Sequence, residues 1–132
     1  MTDDQFSYAD DEELVGQFLE WTGNAVVEMR GIVDAMPERD AAEGETASRL
    51  YDLSHNIKGM GSSFDFNLMT TVGTSLCVYI KKLEGEMSRR VVDAHVRAFE
   101  VILANKIKGD GGEKGAALES RLTTIIAEES QG

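Results

Sequence analysis

Apolar residues return every three to four positions along most of the chain, the period of a helix that buries one face. Leu14, Val15, Phe18, Leu19, Ala25, Val26, Met29, Val33 and Met36 keep this spacing, so the pattern predicts one long amphipathic helix over roughly residues 10–36, stopped by Pro37. A second helix follows the stretch AAEGET and carries Leu50, Leu53 and Ile57. A third, capped by Asp65 or Asn67, places Leu68, Val72, Leu76, Tyr79 and Leu83 on one face and ends at Gly85. Ser88 caps a fourth, with Val91, His95, Phe99 and Ile102 inside, and a fifth follows GDGG with Leu118, Leu122, Ile125 and Ile126. No stretch alternates with period two for long enough to predict a sheet. The expected fold is all-α, one domain over residues 1–132: an up-and-down four-helix bundle with an additional C-terminal helix, since short connections favour antiparallel neighbours. The acidic N-terminal tail, to about residue 9, is expected to be disordered.

Composition narrows the class without changing that picture. Apolar residues make up 42% and charged residues 28% of the 132 positions, ordinary for a globular domain. No apolar run approaches the roughly 18 residues of a membrane span, and the N-terminus is acidic where a signal peptide is basic, so the protein is expected in the cytoplasm. Cys77 is the single cysteine and excludes both an internal disulfide and a cysteine-based zinc cage. A net charge of −11 argues against nucleic acid or anionic membrane as a partner. The charge is uneven: residues 49–108 carry nine bases against six acids, while the remainder is strongly acidic. An acidic partner would dock on the middle of the chain, if the clustering is more than a solvated surface.

Within that middle lies LSHNIKGMGSSF, residues 53–64, where glycines and serines crowd an otherwise helical stretch. On a wheel of about 100° per residue, Leu50, Leu53, Ile57, Gly61 and Phe64 fall in a sector of roughly 80° that must face the core. His55 lies nearly opposite and points to solvent. Lys58, Gly59 and Ser62 fall within about 60° of it, so an exposed imidazole is flanked by a cation and by residues too small to shield it. Gly61, on the inner face, reads as a close-packing glycine. Gly59, on the outer face, costs roughly 0.5–1 kcal/mol relative to alanine without a packing reason, which points to close approach by something outside. His95, within the apolar face of the fourth helix, reads as a packed core residue.

The run His55-Asn56-Ile57-Lys58-Gly59, followed by small residues and then Phe64 and Phe66, resembles the phosphoacceptor helix of histidine-containing phosphotransfer (HPt) domains. With its two phenylalanines it is most similar to the N-terminal phosphoacceptor domain of chemotaxis histidine kinases. The resemblance implies that His55 accepts a phosphoryl group on Nε2 and exchanges it with an aspartate of a response-regulator receiver domain. It implies that Lys58 offsets the phosphoryl charge and that Asn56, Gly59 and Ser62 meet the partner. The chain would be a monomeric phosphocarrier and not a complete enzyme, with no cofactor and no metal site, because the Mg²⁺ belongs to the receiver. Imidazole suits this chemistry, since a ring with an ordinary pKa of about 6.5 is largely neutral and nucleophilic near pH 7. Asp52, three residues earlier, could hold the other ring nitrogen, although a solvated acid is the simpler reading. One position departs from the family: where chemotaxis kinases place an acid that hydrogen-bonds the phosphoacceptor, the matching spacing gives Cys77.

Other classes stay open. A carboxylate-bridged di-metal bundle would use acid-x-x-His pairs on two helices, and Asp52-x-x-His55 supplies one such pair without a second. A non-catalytic helical interaction module with a degenerate motif is another, and a phosphoacceptor fragment of a larger histidine kinase a third. No Gly-rich nucleotide loop is present, so the chain would depend on a separate kinase domain for its phosphoryl group.

Overall fold

The structure, a computed structural model, describes residues 10–130, so the expected disorder of the N-terminal tail lies outside the described residues. Five α-helices carry it: α1 (Glu12–Ala35), α2 (Glu45–Gly61), α3 (Asn67–Lys82), α4 (Arg89–Asn105) and α5 (Gly112–Ser130). The fold is all-α. Asp11 caps α1 by accepting hydrogen bonds from the backbone N–H groups of Glu13 and Leu14, and Pro37 follows directly on the C-cap, Met36. Ser88 caps α4 through its hydroxyl, which accepts from Val91 N–H.

The helices pack as a ring of neighbours in which α1 touches α2 and α4, and α3 touches the same two; α5 lies against α4 and α3. The apolar periodicity of each helix is spent at the shared centre, where Met29, Val33, Leu50, Ile57, Leu68, Val72, Leu76, Val91, Phe99 and Ile102 are all fully buried. Salt links reinforce both seams of α1. Arg49 of α2 grips Glu28 of α1 with two nitrogens, and Arg30 of α1 grips Glu100 of α4 in the same way while also donating to Asp93.

Three local expectations need correction. A sheet does exist, as an antiparallel ribbon of β1 (Arg39–Ala41) and β2 (Glu86–Ser88), paired Arg39 with Ser88, Asp40 with Met87 and Ala41 with Glu86. Strands of three residues are too short to print a period-two signal, and the pairing joins positions far apart in sequence. The third helix ends at Lys82, and Gly85 sits beyond it at φ +113°, in the turn that feeds β2. Neither Asp65 nor Asn67 caps that helix. Asn67 is its first residue, Phe66 is the cap position without a side-chain bond, and Asp65 occupies the left-handed region at φ 65°.

The reason is the turn between α2 and α3. Ser62–Phe64 form one 3-10 turn, and the Phe66 N–H returns to the Gly61 carbonyl at 2.8 Å. Phe64 therefore leaves the helix yet stays in the core, stacked on Phe18 of α1 with ring centroids 4.6 Å apart; Phe66 lies 5.7 Å from the same ring. The loop before α5 locks this turn, because Gly109 N–H donates to the Asp65 carbonyl and Leu68 N–H to the Gly109 carbonyl.

Candidate functional site

The second half of α2 presents a polar face because its apolar residues are committed to the core. Leu53, Ile57 and Gly61 are buried, while His55, Asn56, Gly59 and Ser62 are exposed and Lys58 is half-buried. The wheel placed Leu53, His55, Ile57, Gly59, Gly61 and Ser62 on the correct side; Asn56, which entered only through the family resemblance, is exposed as well. His55 is an outward histidine: among the described residues no hydrogen bond or ion pair engages its ring. The ring lies against Tyr51, one turn earlier, stacked with centroids 5.9 Å apart and planes 22° apart. Helical side chains lean toward the N-terminus, so residue i+4 covers the turn that residue i begins, and the imidazole comes to rest beside the phenol.

The two glycines separate as the helix faces require. A Cβ added to Gly61 would stand 2.5 Å from Thr70 Oγ1 and 2.9 Å from the Phe66 carbonyl oxygen, so this position is closed by α3 and the turn. A Cβ at Gly59 would meet nothing within 4 Å. Among the described residues no packing accounts for Gly59, and the space beside His55 is open.

Lys58 has a stem and a head in different environments. Its backbone lies against Gly73 of α3, where an added Cβ would come within 3.0 Å of the Lys58 Cβ and of the Ser54 carbonyl oxygen. The Lys58 carbonyl accepts a hydrogen bond from Thr70 Oγ1 at 3.0 Å, and Ser62 Oγ donates in turn to Thr70 Oγ1 at 3.2 Å. The last turn of α2 is thus pinned to α3. The Lys58 ammonium forms no ion pair among the described residues and stays available to an anion. Ser54, the residue before His55, is fully buried with a hydroxyl that finds no partner among the described residues.

Neither acid question resolves in favour of a carboxylate on His55. Asp52 is exposed and makes no hydrogen bond or ion pair to His55, so it is a solvated acid. Cys77 is buried and its thiol donates to the Tyr51 carbonyl oxygen at 3.8 Å; burial pushes that thiol up from its ordinary range. It lies against the backbone of α2, not on the imidazole.

His95 is the opposite kind of histidine. It is fully buried, with Nδ1 2.7 Å from the Val91 carbonyl and Nε2 2.8 Å from Ser75 Oγ. A carbonyl only accepts, so Nδ1 carries the proton and Nε2 accepts from the serine hydroxyl. Burial pulls this imidazole down to about 4, and it stays neutral at physiological pH.

Tyr51, Thr70 and Gly73 are the neighbours that sequence reasoning missed. The i, i+4 rule was enough to find Tyr51; Thr70 and Gly73 lie on another helix, and only the packing shows which part of α2 they meet. Among the described residues no three His, Cys, Asp or Glu side chains gather where a metal could be held, which leaves the di-metal alternative without a ligand set. No described helix is long and apolar enough to cross a membrane. Comparison of the chain with protein-family models, with curated proteins and with solved structures finds no match.

Proposed function

We propose that the chain is a histidine phosphotransfer protein of a two-component phosphorelay, a cytoplasmic monomer of HPt type whose first four helices form the up-and-down bundle of such domains. His55 accepts the phosphoryl group from a sensor kinase and exchanges it with an aspartate of a response-regulator receiver domain. One observation carries the reading: among the described residues, an outward imidazole with no hydrogen bond to its ring stands on α2 with Lys58 unpaired beside it and open space at Gly59.

The chemistry follows from those groups. In the neutral ring with its proton on Nδ1, the Nε2 lone pair attacks the donor phosphorus; the N–P bond forms as the donor P–O bond breaks, and the donor oxygen leaves with that electron pair. Lys58 offsets the charge of the phosphoryl oxygens as they arrive and depart. In the forward transfer a receiver carboxylate oxygen attacks phosphorus, the N–P bond breaks, and a proton on Nδ1 lets the imidazole leave neutral. Asn56, Gly59 and Ser62 form the contact surface, and the Mg²⁺ for the aspartate is the receiver's.

The test is phosphorylation of the purified chain by a histidine kinase with radiolabelled ATP. The wild type takes up label that is lost in acid and survives in base, and His55→Gln takes up none while keeping its helical circular dichroism. Equal labelling of the variant ends the reading. A non-catalytic interaction module is the second reading, favoured by the lack of any carboxylate on His55 among the described residues; it predicts no labelling of either protein.

A further inference from the structure

Away from the α2 face, α4 and α5 leave between them an open groove of about 680 Å³. Its floor is apolar, formed by Val101 of α4 with Leu118, Leu122 and Ile125 of α5. Leu122 and Ile125 reach the core, but Leu118 is only partly covered and Val101 is 40% exposed. The rim is cationic: Arg90 and Arg97 on one wall, Lys114 and Arg121 on the other, against one carboxylate, Asp93, already held by Arg30 and Arg97.

The cations are spaced along the groove. Arg90 pairs with Glu128 near the end of α5, while Asn105 and Lys114 line the opposite end, so α4 and α5 run antiparallel along it. Arg97 lies two turns from Arg90, and Arg121 two turns from Lys114, which is a step of about 10 Å on each wall. Lys114 and Arg121 form no ion pair among the described residues, and the Arg97 side chain is 72% exposed beside its carboxylate. In a chain of net charge −11, Lys114 and Arg121 thus leave unpaired positive charge beside apolar surface, with the exposed Arg97 facing them.

We infer that the α4–α5 groove is a docking site for an acidic amphipathic helix of a partner protein. Such a helix lays an apolar stripe on Val101, Leu118 and Leu122 and sets carboxylates two turns apart against Arg97, Arg121 and Lys114. From Arg90 to Asn105 the wall is about 22 Å long, matched by a helix of about 15 residues. The acids elsewhere on the chain are screened beyond about 8 Å at physiological salt, so the rim sets the field the partner meets. A flat anionic bilayer would press also on Glu113 and Glu119, which are exposed on α5, and a second copy of this chain would bring its own −11. The groove needs neither His55 nor a phosphoryl group.

The probe is a fluorescein-labelled amphipathic peptide of about sixteen residues with a leucine stripe flanked by glutamates two turns apart; its counterpart carries lysines in place of the glutamates. Fluorescence anisotropy with the full chain should show saturable binding of the glutamate peptide, weakened by salt, and none of the lysine peptide. R97E/R121E should weaken it about tenfold and V101D by a similar factor, with circular dichroism unchanged. The proposal is overturned if the glutamate peptide does not bind, if both peptides bind alike, or if R97E/R121E leaves affinity intact. It is also overturned if R97E/R121E dissolves a dimer seen by sedimentation, which assigns the groove to a second copy, or if phosphatidylserine vesicles compete fully for it. Tighter peptide binding by D3N/D4N would assign the groove to the chain's own acidic N-terminal segment instead.

Discussion

Tyr51 and His55 stack one turn apart on α2, ring centroids separated by 5.9 Å and planes by 22°. With no hydrogen bond on the imidazole among the described residues, this phenol is what limits the ring's rotation, and a limited ring spends less entropy reaching a line of attack. Tyr51→Leu should therefore lower the transfer rate at saturating receiver several-fold with receiver affinity unchanged, whereas Tyr51→Phe, which keeps the ring, should behave as wild type. If Tyr51→Leu transfers at full rate, the stack does not position the imidazole.

Gly59 and Gly61 should respond in opposite directions to the same substitution. At Gly59 a methyl meets open space, so Gly59→Ala should raise stability by about 0.5–1 kcal/mol, and Gly59→Leu should weaken receiver binding by filling the approach to His55. At Gly61 the methyl runs into Thr70 Oγ1 and the Phe66 carbonyl, so Gly61→Ala should lower stability by about 1–3 kcal/mol. Urea denaturation of the alanine variants and receiver titration of Gly59→Leu check both. Unimpaired binding by Gly59→Leu would move the docking surface off this face.

On the proposed function Lys58 would act through a charge that is half-exposed and screened, so its removal should be felt modestly and in the chemical step. Lys58→Ala should slow saturated transfer by about three- to tenfold, with high salt narrowing the gap to wild type. An altered receiver affinity at unchanged saturated rate would make the lysine a docking residue.

His95 ties stability to pH. Its folded pKa of about 4 lies below the ordinary value, so between the two the unfolded chain binds more protons and acid favours unfolding. This contribution is complete above about pH 6.5 and is lost as pH falls toward 4, a difference of about 3 kcal/mol. Denaturation midpoints measured from pH 7 to pH 4 should fall accordingly. His95→Leu should be less stable at pH 7, because it orphans Ser75, but should show a flatter slope across that window; an unchanged slope would place the acid sensitivity in the carboxylates.

Ser54 buries a hydroxyl that nothing accepts from among the described residues, so removing it costs no hydrogen bond. Ser54→Ala should leave stability unchanged or raise it by up to about 1 kcal/mol, with phosphoryl transfer intact. Destabilisation beyond that range in thermal melts would show that the hydroxyl does have a partner.

What the sequence made legible follows the range of its signals. The outward side of His55 and the inward side of Gly61 depend only on the helical period and the positions of Leu50, Leu53 and Ile57, and both were read correctly. The ribbon was invisible because Asp40 and Met87 pair through backbone groups across about a third of the chain, leaving three residues a side with no pattern of their own. The cap of α3 was misplaced for a related reason. Asp65 is held in a left-handed turn by the Gly109 amide from beyond α4, so a long-range contact overrode a local preference. The fate of Cys77 likewise depended on how α3 is rotated against Tyr51, which no single-helix wheel contains.

The ribbon and the Asp65–Gly109 tie close the helices at opposite ends: the first joins the α1–α2 connection to the α3–α4 connection, the second joins the α2–α3 turn to the loop before α5. Every link between successive helices is thereby stitched to another link. A cylinder hooped at both rims keeps its shape when a load is placed on one stave, so a group attached midway along α2 changes what the surface offers to a visitor and leaves the frame behind it as it was. On the proposed function, a phosphoryl group on His55 would then be written on the outside of the molecule, where a partner that touches α2 could read it.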